Sequence, residues 1–424
     1  MLLLMIATFV RPSEVFTDIY GTQIYLVTMI IAAVASLPQI MRQLSLRELS
    51  GSPITVCVLG VLLAVPLSLL ANRQIESAFY GLDAFARVVL FYLIVSGAQT
   101  SPARFSFFLG WTIFCIATLT VIGLLDFHEI YDWPLLTTRL TEGVEEVSSV
   151  DRLQYTGIFA NPNGLSRLMV LAILVSIYFM TAPGAILLAP FWLALIGLFG
   201  HALMLTKSRG GLIGLLAGIA ILFVSRFGLK RAIPFGLIAL PVVMVMFGGG
   251  RQTDLSTDSG TGQDRIQLWQ GGMEMFRASP IFGIGMDRYV EFMGLVAHNS
   301  FIHAYVELGF FGGMFFVGCY YFAFDRLLKL RKIKDQIGDP ILRRALPYLI
   351  AILGAEAIGM LSISLSYALT TYMLLGTTAA FLRMVDRQPG IPAYPFDFKA
   401  AKRLVVVGVV VFVGFYVFIK FNIR

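Results

Sequence analysis

The chain has 424 residues, of which 58% are hydrophobic and only 13% are charged, with a formal net charge of +7. Soluble domains carry about twice that fraction of charged residues, so the composition argues against a soluble multidomain protein. The basic excess is not interleaved with aromatic residues as in a nucleic-acid surface, and we expect no nucleic-acid partner.

Long apolar runs follow one another along the chain, and each is long enough to cross a hydrocarbon core about 30 Å thick. They predict twelve transmembrane helices, at Thr22–Ile40, Pro53–Leu70, Phe79–Val95, Phe105–Leu125, Leu165–Met180, Ala185–Leu205, Gly210–Val224, Ala232–Phe247, Ala304–Phe324, Leu346–Leu365, Tyr367–Met384 and Leu404–Phe421. A shorter run, Met1–Val10, lacks the basic leader of a signal peptide, and we expect a retained segment that starts in the cytoplasm. The predicted fold class is an all-α polytopic membrane protein, with residues 1–424 forming a single integral-membrane domain.

The distribution of lysine and arginine predicts the orientation in the membrane. One set of alternate loops carries 17 of these residues, and the opposite set carries 10 over a longer stretch of chain. Residues 325–345 alone contain seven, which predicts a basic cytoplasmic loop. Residues 126–164 and 248–303 are then the two long loops on the extracytoplasmic side.

The first long loop is acidic at its start and ends in a turn that contains Asn161, Pro162 and Asn163. Asn-Pro and Asn-Gly pairs are typical of turns, and Asn163 is expected to cap the helix that follows. The predicted topology places this turn on the same side as the second long loop.

Arg209 lies between two apolar runs, after Lys207 and Ser208 and before two glycines. One interpretation is a charge that orients the helix or reaches the membrane surface. The other is an anion ligand, because a guanidinium and the first N–H groups of the next helix can bind the same oxyanion. Lys207 is available as well, although a point charge fits a diphosphate less specifically.

The second long loop has helical spacing from about 264 to 277, since Ile266, Trp269, Met273 and Phe276 share one face. We predict an amphipathic helix at the membrane surface. Arg265 begins this helix, where it could form an exposed ion pair or bind the same diphosphate as Arg209.

His298 lies in the same loop and is followed by Asn299 and Ser300. A neutral imidazole there could accept a proton from a hydroxyl group near pH 7. The alternative is a helix-capping turn without a catalytic role. His303 is five residues away and no third ligand is near, so we expect neither a metal site nor a cofactor.

Asp83, Arg87 and Glu356 are among the ionisable residues that lie inside apolar runs. Such residues are by default functional candidates or interhelical pairs. Asp83 and Arg87 are four residues apart and are expected to neutralise each other. The three cysteines fall in predicted helices and are expected to pack as small apolar residues: Cys57, Cys115 and Cys319.

Six short motifs occur in a familiar order between about residues 150 and 320. They are Gly157-Ile-Phe-Ala-Asn161-Pro162-Asn163, Ser208-Arg209-Gly210, Arg265-Ile-Gln-Leu-Trp269, Pro280-Ile-Phe-Gly283-Ile-Gly285, His298-Asn299 and Glu307-Leu-Gly309. Together they resemble the O-antigen ligase and polymerase superfamily of bacterial envelope glycosyltransferases. Each motif alone is weak evidence, and the resemblance rests on the occurrence of all six in this order.

The resemblance implies a fold of the GT-C type in the bacterial inner membrane, with an active site that faces the periplasm. It implies an undecaprenyl-diphosphate-linked saccharide donor and inverting transfer without a metal ion. Arg209 and Arg265 would bind the diphosphate, and His298 would activate the acceptor hydroxyl. Further substrate-binding residues are expected from the same motifs: Asn161, Asn163, Lys207, Ser208, Trp269, Asn299 and Glu307.

The resemblance leaves the acceptor open. The loop between Phe247 and Ala304 is short for a ligase. A polymerase that extends polysaccharide repeats is slightly favoured over a ligase that attaches O-antigen to lipid A–core, but the sequence does not separate the two, because they share the site and differ in the acceptor. A transporter or flippase of lipid-linked glycans is the alternative of another class, and a non-catalytic scaffold is a third. Transporters often have polar groups near the bilayer midplane, whereas the rare charges here gather at one face.

Overall fold

The computed structural model describes residues 1–142, 150–231 and 261–422. In chain order the helices are α1 (Leu2–Phe9), α2 (Pro12–Val15), α3 (Ile24–Ala35), α4 (Leu37–Gln43), α5 (Leu46–Ser50), α6 (Pro53–Ala71), α7 (Ile75–Ala98), α8 (Pro102–Phe127), α9 (Pro162–Met180), α10 (Ala189–Leu205), α11 (Arg209–Phe227), α12 (Thr261–Ala278), α13 (Tyr289–Met293), α14 (Ser300–Lys332), α15 (Pro340–Gly359), α16 (Leu369–Asp386) and α17 (Phe398–Asn422). Short 3₁₀ helices occupy Thr17–Ile19, Gly157–Phe159, Ala185–Leu188, Lys334–Gln336 and Met360–Ser362. Strands β1 (Arg139–Glu142) and β2 (Val150–Leu153) form an antiparallel pair with Arg139 opposite Leu153.

The helices confirm an all-α polytopic membrane protein. In the described part of the chain, nine helices are long and apolar enough to cross a membrane: α6, α7, α8, α9, α10 with the 3₁₀ turn before it, α11, α14, α15 with the 3₁₀ turn after it, and α17. Helices α3 and α4 pass the same test together, with a bend of 69° between them, as a broken span or a re-entrant loop. Helices satisfy every backbone polar group internally, which the interior of a bilayer requires.

The predicted total of twelve spans stays a prediction. The run Ala232–Phe247 lies outside the described residues. The run Tyr367–Met384 forms helix α16, which is not among the nine candidates.

The fold contains two compact units, and the prediction of a single domain stays untested. The first unit comprises Met1–Ala35, Ser101–Asp254 and Asp339–Gly359. The second unit comprises Ser36–Thr100, Leu255–Gly338 and Met360–Arg424.

Close helix contacts at glycine organise the first unit around α9, α11 and α15. A Cβ atom on Gly218 of α11 would lie 2.8 Å from Leu174 of α9 and 3.0 Å from Ala355 of α15. A Cβ atom on Gly354 would lie 2.3 Å from Ile221. Small residues of this kind let membrane helices approach closely enough for dispersion contacts to hold them together.

The second unit packs α6, α12, α16 and α17 around the long helix α14, and α7 packs against α6 and α16. Gly60 of α6 lies against Phe315, and Gly408 of α17 lies against Met314. Helix α14 is broken at Gly309, whose φ of 65° and ψ of −170° are not helical. This break, inside the predicted span Ala304–Phe324, positions the candidate residues of the second unit.

Several smaller predictions are confirmed within the units. Arg87 donates a 2.5 Å hydrogen bond to Asp83, and Glu356 forms a buried interhelical ion pair with Arg167. The cysteines are buried and free of disulfides: Cys57, Cys115 and Cys319.

Candidate active site

In the first unit, a tight turn between α10 and α11 presents Arg209. Lys207 has a φ of 49°, which reverses the chain. The Ser208 side chain then caps α11 by accepting a 3.2 Å hydrogen bond from Gly211 N. Arg209 is the first residue of α11, and its side chain is half-buried. A guanidinium at a helix N-terminus sits where the backbone dipole also favours an anion.

A buried arginine that sequence reasoning missed, Arg152 of β2, joins this turn to the Asn161 turn. Its Nε atom donates to Thr206 O at 2.9 Å, and its Nη2 atom donates to Asn163 Oδ1 at 3.0 Å. Arg152 is only 6% exposed. The sequence signal was one basic residue shortly before the Asn161 motif, which no motif rule singles out.

The prediction that Asn163 caps helix α9 is wrong. Asn161 is the cap, because its Oδ1 atom accepts a 2.8 Å hydrogen bond from Asn163 N. The Asn163 side chain instead faces Arg152, whose charge-assisted hydrogen bond is the stronger one available to it.

The N-terminal turns of α9 and α11 lie side by side. A Cβ atom added to Gly211 would come within 2.5 Å of Ser166 Cβ, so only glycine permits this approach. Two positive helix ends therefore meet next to Arg152, Lys207 and Arg209. In chemical terms, this cluster in the first unit is suited to an oxyanion such as a phosphate group.

One turn further along α9, Arg167 pairs with Glu356 of α15 and donates to Glu356 O at 3.2 Å. Arg167 is 7% exposed, and its Nε and Nη1 atoms have no hydrogen-bond partner among the residues that the structure describes. The pair supports the interhelical interpretation of Glu356.

In the second unit, a loop docks onto the break in α14. Ile284 N donates to Val306 O at 3.1 Å and Gly285 N donates to Glu307 O at 2.9 Å. Beyond the break, Phe310 N donates to Pro280 O at 2.8 Å and Phe311 N donates to Ile281 O at 3.1 Å. The Pro280–Gly285 motif is thus a turn whose backbone is hydrogen-bonded to the helix.

The Glu307 side chain is a fully buried acceptor at this junction. Its Oε1 atom accepts from Tyr289 N at 3.0 Å, and its Oε2 atom accepts from Asp287 N at 3.0 Å and from the Tyr367 hydroxyl at 2.9 Å. His303 Nε2 lies 3.3 Å from Oε1. Glu307 therefore holds three chain segments together.

His298 directly precedes Asn299, the N-cap of α14, in the left-handed region with a φ of 50°. Asn299 is 1% exposed, and its Oδ1 atom accepts from Phe301 N and Ile302 N. Asn299 therefore caps the helix, as the alternative of a helix-capping turn expected. Its capping hydrogen bonds fix the backbone that carries the half-buried His298.

Helix α12 is the predicted amphipathic helix. Ile266, Met273 and Phe276 are buried on one face, and the side chain of Trp269 is half-buried. Trp269 Nε1 donates a 2.6 Å hydrogen bond to the carbonyl of Ala297, which fastens α12 to the residue before His298.

The electrostatics around His298 suit a neutral base. Burial lowers the pKa of His298 below its ordinary value, and the positive charges of Arg265 and His303 lower it further. A depressed pKa keeps an imidazole unprotonated near pH 7, so its ring nitrogen can accept a proton. Arg265 is therefore close enough to act electrostatically on His298.

The predicted site residues fall into two groups, one in each unit. Within the first unit the structure gathers Asn161, Asn163, Lys207, Ser208 and Arg209, with Arg152. Within the second unit it gathers Arg265, Trp269, His298, Asn299 and Glu307, with His303, Tyr289, Ser366 and Tyr367. No group of three or more histidine, cysteine or acidic side chains able to hold a metal ion occurs among residues 1–142, 150–231 and 261–422.

Comparison with known protein families matches residues 162–317 to the O-antigen ligase family. The matched region covers less than half of the chain, and it contains every site residue predicted from the sequence except Asn161. This match confirms the resemblance that the motifs indicated. No curated protein matches the chain.

Proposed function

Since the match over residues 162–317 supports the O-antigen ligase and polymerase family and glycosyl transfer of that general type, we propose that this chain is a polysaccharide polymerase. It transfers a saccharide from an undecaprenyl-diphosphate-linked donor to a sugar acceptor on the periplasmic side of the inner membrane. The observation that carries the proposal is His298, a half-buried imidazole whose pKa is depressed by burial and by Arg265.

The donor diphosphate is assigned to Arg209 and Arg265. The paired helix N-termini beside Arg209 support this assignment, because backbone N–H groups and a guanidinium fork complement phosphate oxygens. Lys207 adds a third cation on the same turn as Arg209. Arg152 stabilises the turn by its bonds to Thr206 and Asn163.

The reaction is a displacement at the anomeric carbon. His298 accepts the proton of the acceptor hydroxyl as its oxygen bonds to the anomeric carbon. The bond from that carbon to the diphosphate oxygen breaks, and the configuration inverts. Negative charge develops on the departing lipid diphosphate, where guanidinium groups stabilise the transition state more than the ground state. The proposal needs no metal ion or other cofactor.

Two assays test the activity and the acceptor. Purified protein in lipid is incubated with undecaprenyl-diphosphate-linked repeat units, with and without lipid A–core. A ladder of longer lipid-linked glycans without lipid A–core supports the polymerase. A single lipid A–core adduct without a ladder identifies a ligase instead. Movement of the donor between leaflets without any new glycosidic bond would support a flippase and overturn the proposal.

Substitutions test the assigned residues. Arg209→Ala, Arg265→Ala and His298→Ala are each expected to reduce transfer by at least about 10²-fold, the usual contribution of one transition-state contact or general base. Matched controls are Arg277→Ala on the same helix as Arg265, and His201→Ala, an exposed histidine. Full activity of all three site variants would refute the assignment.

A further inference from the structure

His303 is a second buried histidine, five residues after His298 on the first turns of α14. Only 5% of the residue is exposed, and each ring nitrogen faces an oxygen. Nε2 lies 3.3 Å from Glu307 Oε1, and Nδ1 lies 3.3 Å from Ser366 Oγ. The hydrogen-bond capacity of these two oxygens determines how many protons the ring carries.

Ser366 has a single hydroxyl proton. Its Oγ atom donates a 2.8 Å bond to Ser300 O, which is much shorter than its distance to the histidine. The hydroxyl is therefore left to accept from His303, so Nδ1 carries a proton.

Both carboxylate oxygens of Glu307 accept hydrogen bonds. Two backbone N–H groups and the Tyr367 hydroxyl already donate to its carboxylate. A carboxylate that receives several donors is stabilised in its ionised form. An ionised carboxylate can only accept, so His303 Nε2 carries a proton as well. Both ring nitrogens are then protonated, and His303 is an imidazolium paired with Glu307.

We propose that His303 is held as a buried imidazolium by Glu307 and Ser366, and that it is a positioning residue whose fixed charge keeps His298 a neutral base. This role rests on the proposed function of His298. Among the residues that the structure describes, the charged groups that act on His298 are Arg265 from α12 and His303 from α14.

The surroundings of His303 are consistent with a charged ring. Glu307 lies on its own helix, and the carboxylate of Asp287 acts on it from the docked loop. The rings of Tyr289 and Tyr367 lie 5.7 Å and 5.8 Å from the His303 ring centroid. A protonated imidazole between a carboxylate and aromatic rings has both charge compensation and favourable packing.

The pH profile of transfer separates this role from a purely structural one. Replacing His303 by a neutral side chain removes a positive charge beside His298, so the pKa of His298 rises and more of it is protonated in mild acid. We expect His303→Gln to lose roughly tenfold in kcat/KM at pH 6 but less than about threefold at pH 8. His303→Lys, which keeps the charge, should retain the wild-type acidic limb. His128→Gln, at an exposed histidine, is the control.

A uniform loss at all pH values in both His303 variants, or a wild-type profile in His303→Gln, would overturn the proposal. If His303→Gln does not fold, the wild-type protein gives the answer. Solid-state ¹⁵N spectra of histidine-labelled protein in bilayers should show one doubly protonated imidazole of the four histidines at pH 8.5. Four neutral imidazole rings at that pH would contradict the proposal. The spectra need no turnover, so absence of transfer by the wild type refutes the proposed function separately.

Discussion

The glycine at the break of α14 provides the sharpest test of how the second unit arranges its candidate residues. Gly309 has a φ of 65°, and a Cβ atom there would lie 2.3 Å from Ile281 O and 2.5 Å from Gly283 N. Both neighbours are backbone atoms of the docked loop, so no side-chain rotation relieves the clash. Gly309→Ala must therefore displace the loop or bend the helix.

The size of the effect follows from what the displaced loop loses. Four backbone hydrogen bonds join residues 280–285 to residues 306–311. At about 0.5–1.5 kcal/mol each, their loss costs about 2–6 kcal/mol. A φ of 65° with a ψ of −170° lies in a backbone region that is essentially restricted to glycine, which adds about 1–3 kcal/mol for alanine. The sum is about 3–9 kcal/mol, enough to detach the loop that supplies the Asp287 and Tyr289 N–H donors to Glu307.

Thermal unfolding and glycosyl transfer are measured together on Gly309→Ala and on Gly294→Ala. Gly294 also has a positive φ, 68°, with a ψ of −16°, and no atom of the described residues lies within 4 Å of its added Cβ atom. The control therefore reports the cost of a positive φ at alanine without a steric clash, about 1–2 kcal/mol. We expect Gly309→Ala to lower the unfolding temperature further and to abolish transfer. Equal behaviour of the two variants would refute the docking argument.

Three further predictions follow from single contacts. Arg152→Ala should lower transfer by about 10- to 100-fold without abolishing expression, because charge-assisted hydrogen bonds contribute about 1.5–3 kcal/mol; an unchanged rate would show that the turn holds without it. Arg265→Gln should move the acidic limb of the pH–rate profile to higher pH, since removing its charge raises the pKa of His298, whereas Arg277→Gln should leave that limb in place. Trp269→Phe should slow transfer by about fivefold, the equivalent of about 1 kcal/mol for the bond to the carbonyl before His298; a wild-type rate would mean that α12 needs no such link.

Apolar patterning predicted the helices well, because a chain in lipid has few ways to satisfy its backbone. The run Pro53–Leu70 is helix Pro53–Ala71, and the amphipathic face of Ile266 and Met273 is buried as expected. The break at Gly309 was not predicted. Hydropathy does not report a change in φ, and the cause of the break is a loop that comes from elsewhere in the chain.

The candidate residues could be named from their motifs, but their partners could not. Tyr367 reaches Glu307 from 60 residues away, and Arg152 reaches Thr206 from 54 residues away. Such contacts depend on how helices pack, and no local spacing encodes them. For the same reason, the sequence predicted Asn163 as the helix cap, because local spacing does not reveal its arginine partner.

The motif residues differ in burial, and the burial of each residue limits how it can affect the reaction. Ser208, Asn299 and Glu307 are at most 1% exposed, and their side-chain oxygens already accept hydrogen bonds inside the protein. Arg209 and His298 are half-buried and stand directly beside the residues that these buried groups fix. A buried capping residue can influence the reaction only by positioning other groups. Its replacement should therefore lower both the stability of the protein and the rate of transfer. Removal of Arg209 or His298 should cost rate with little loss of stability, and that difference can be measured in the same unfolding experiment.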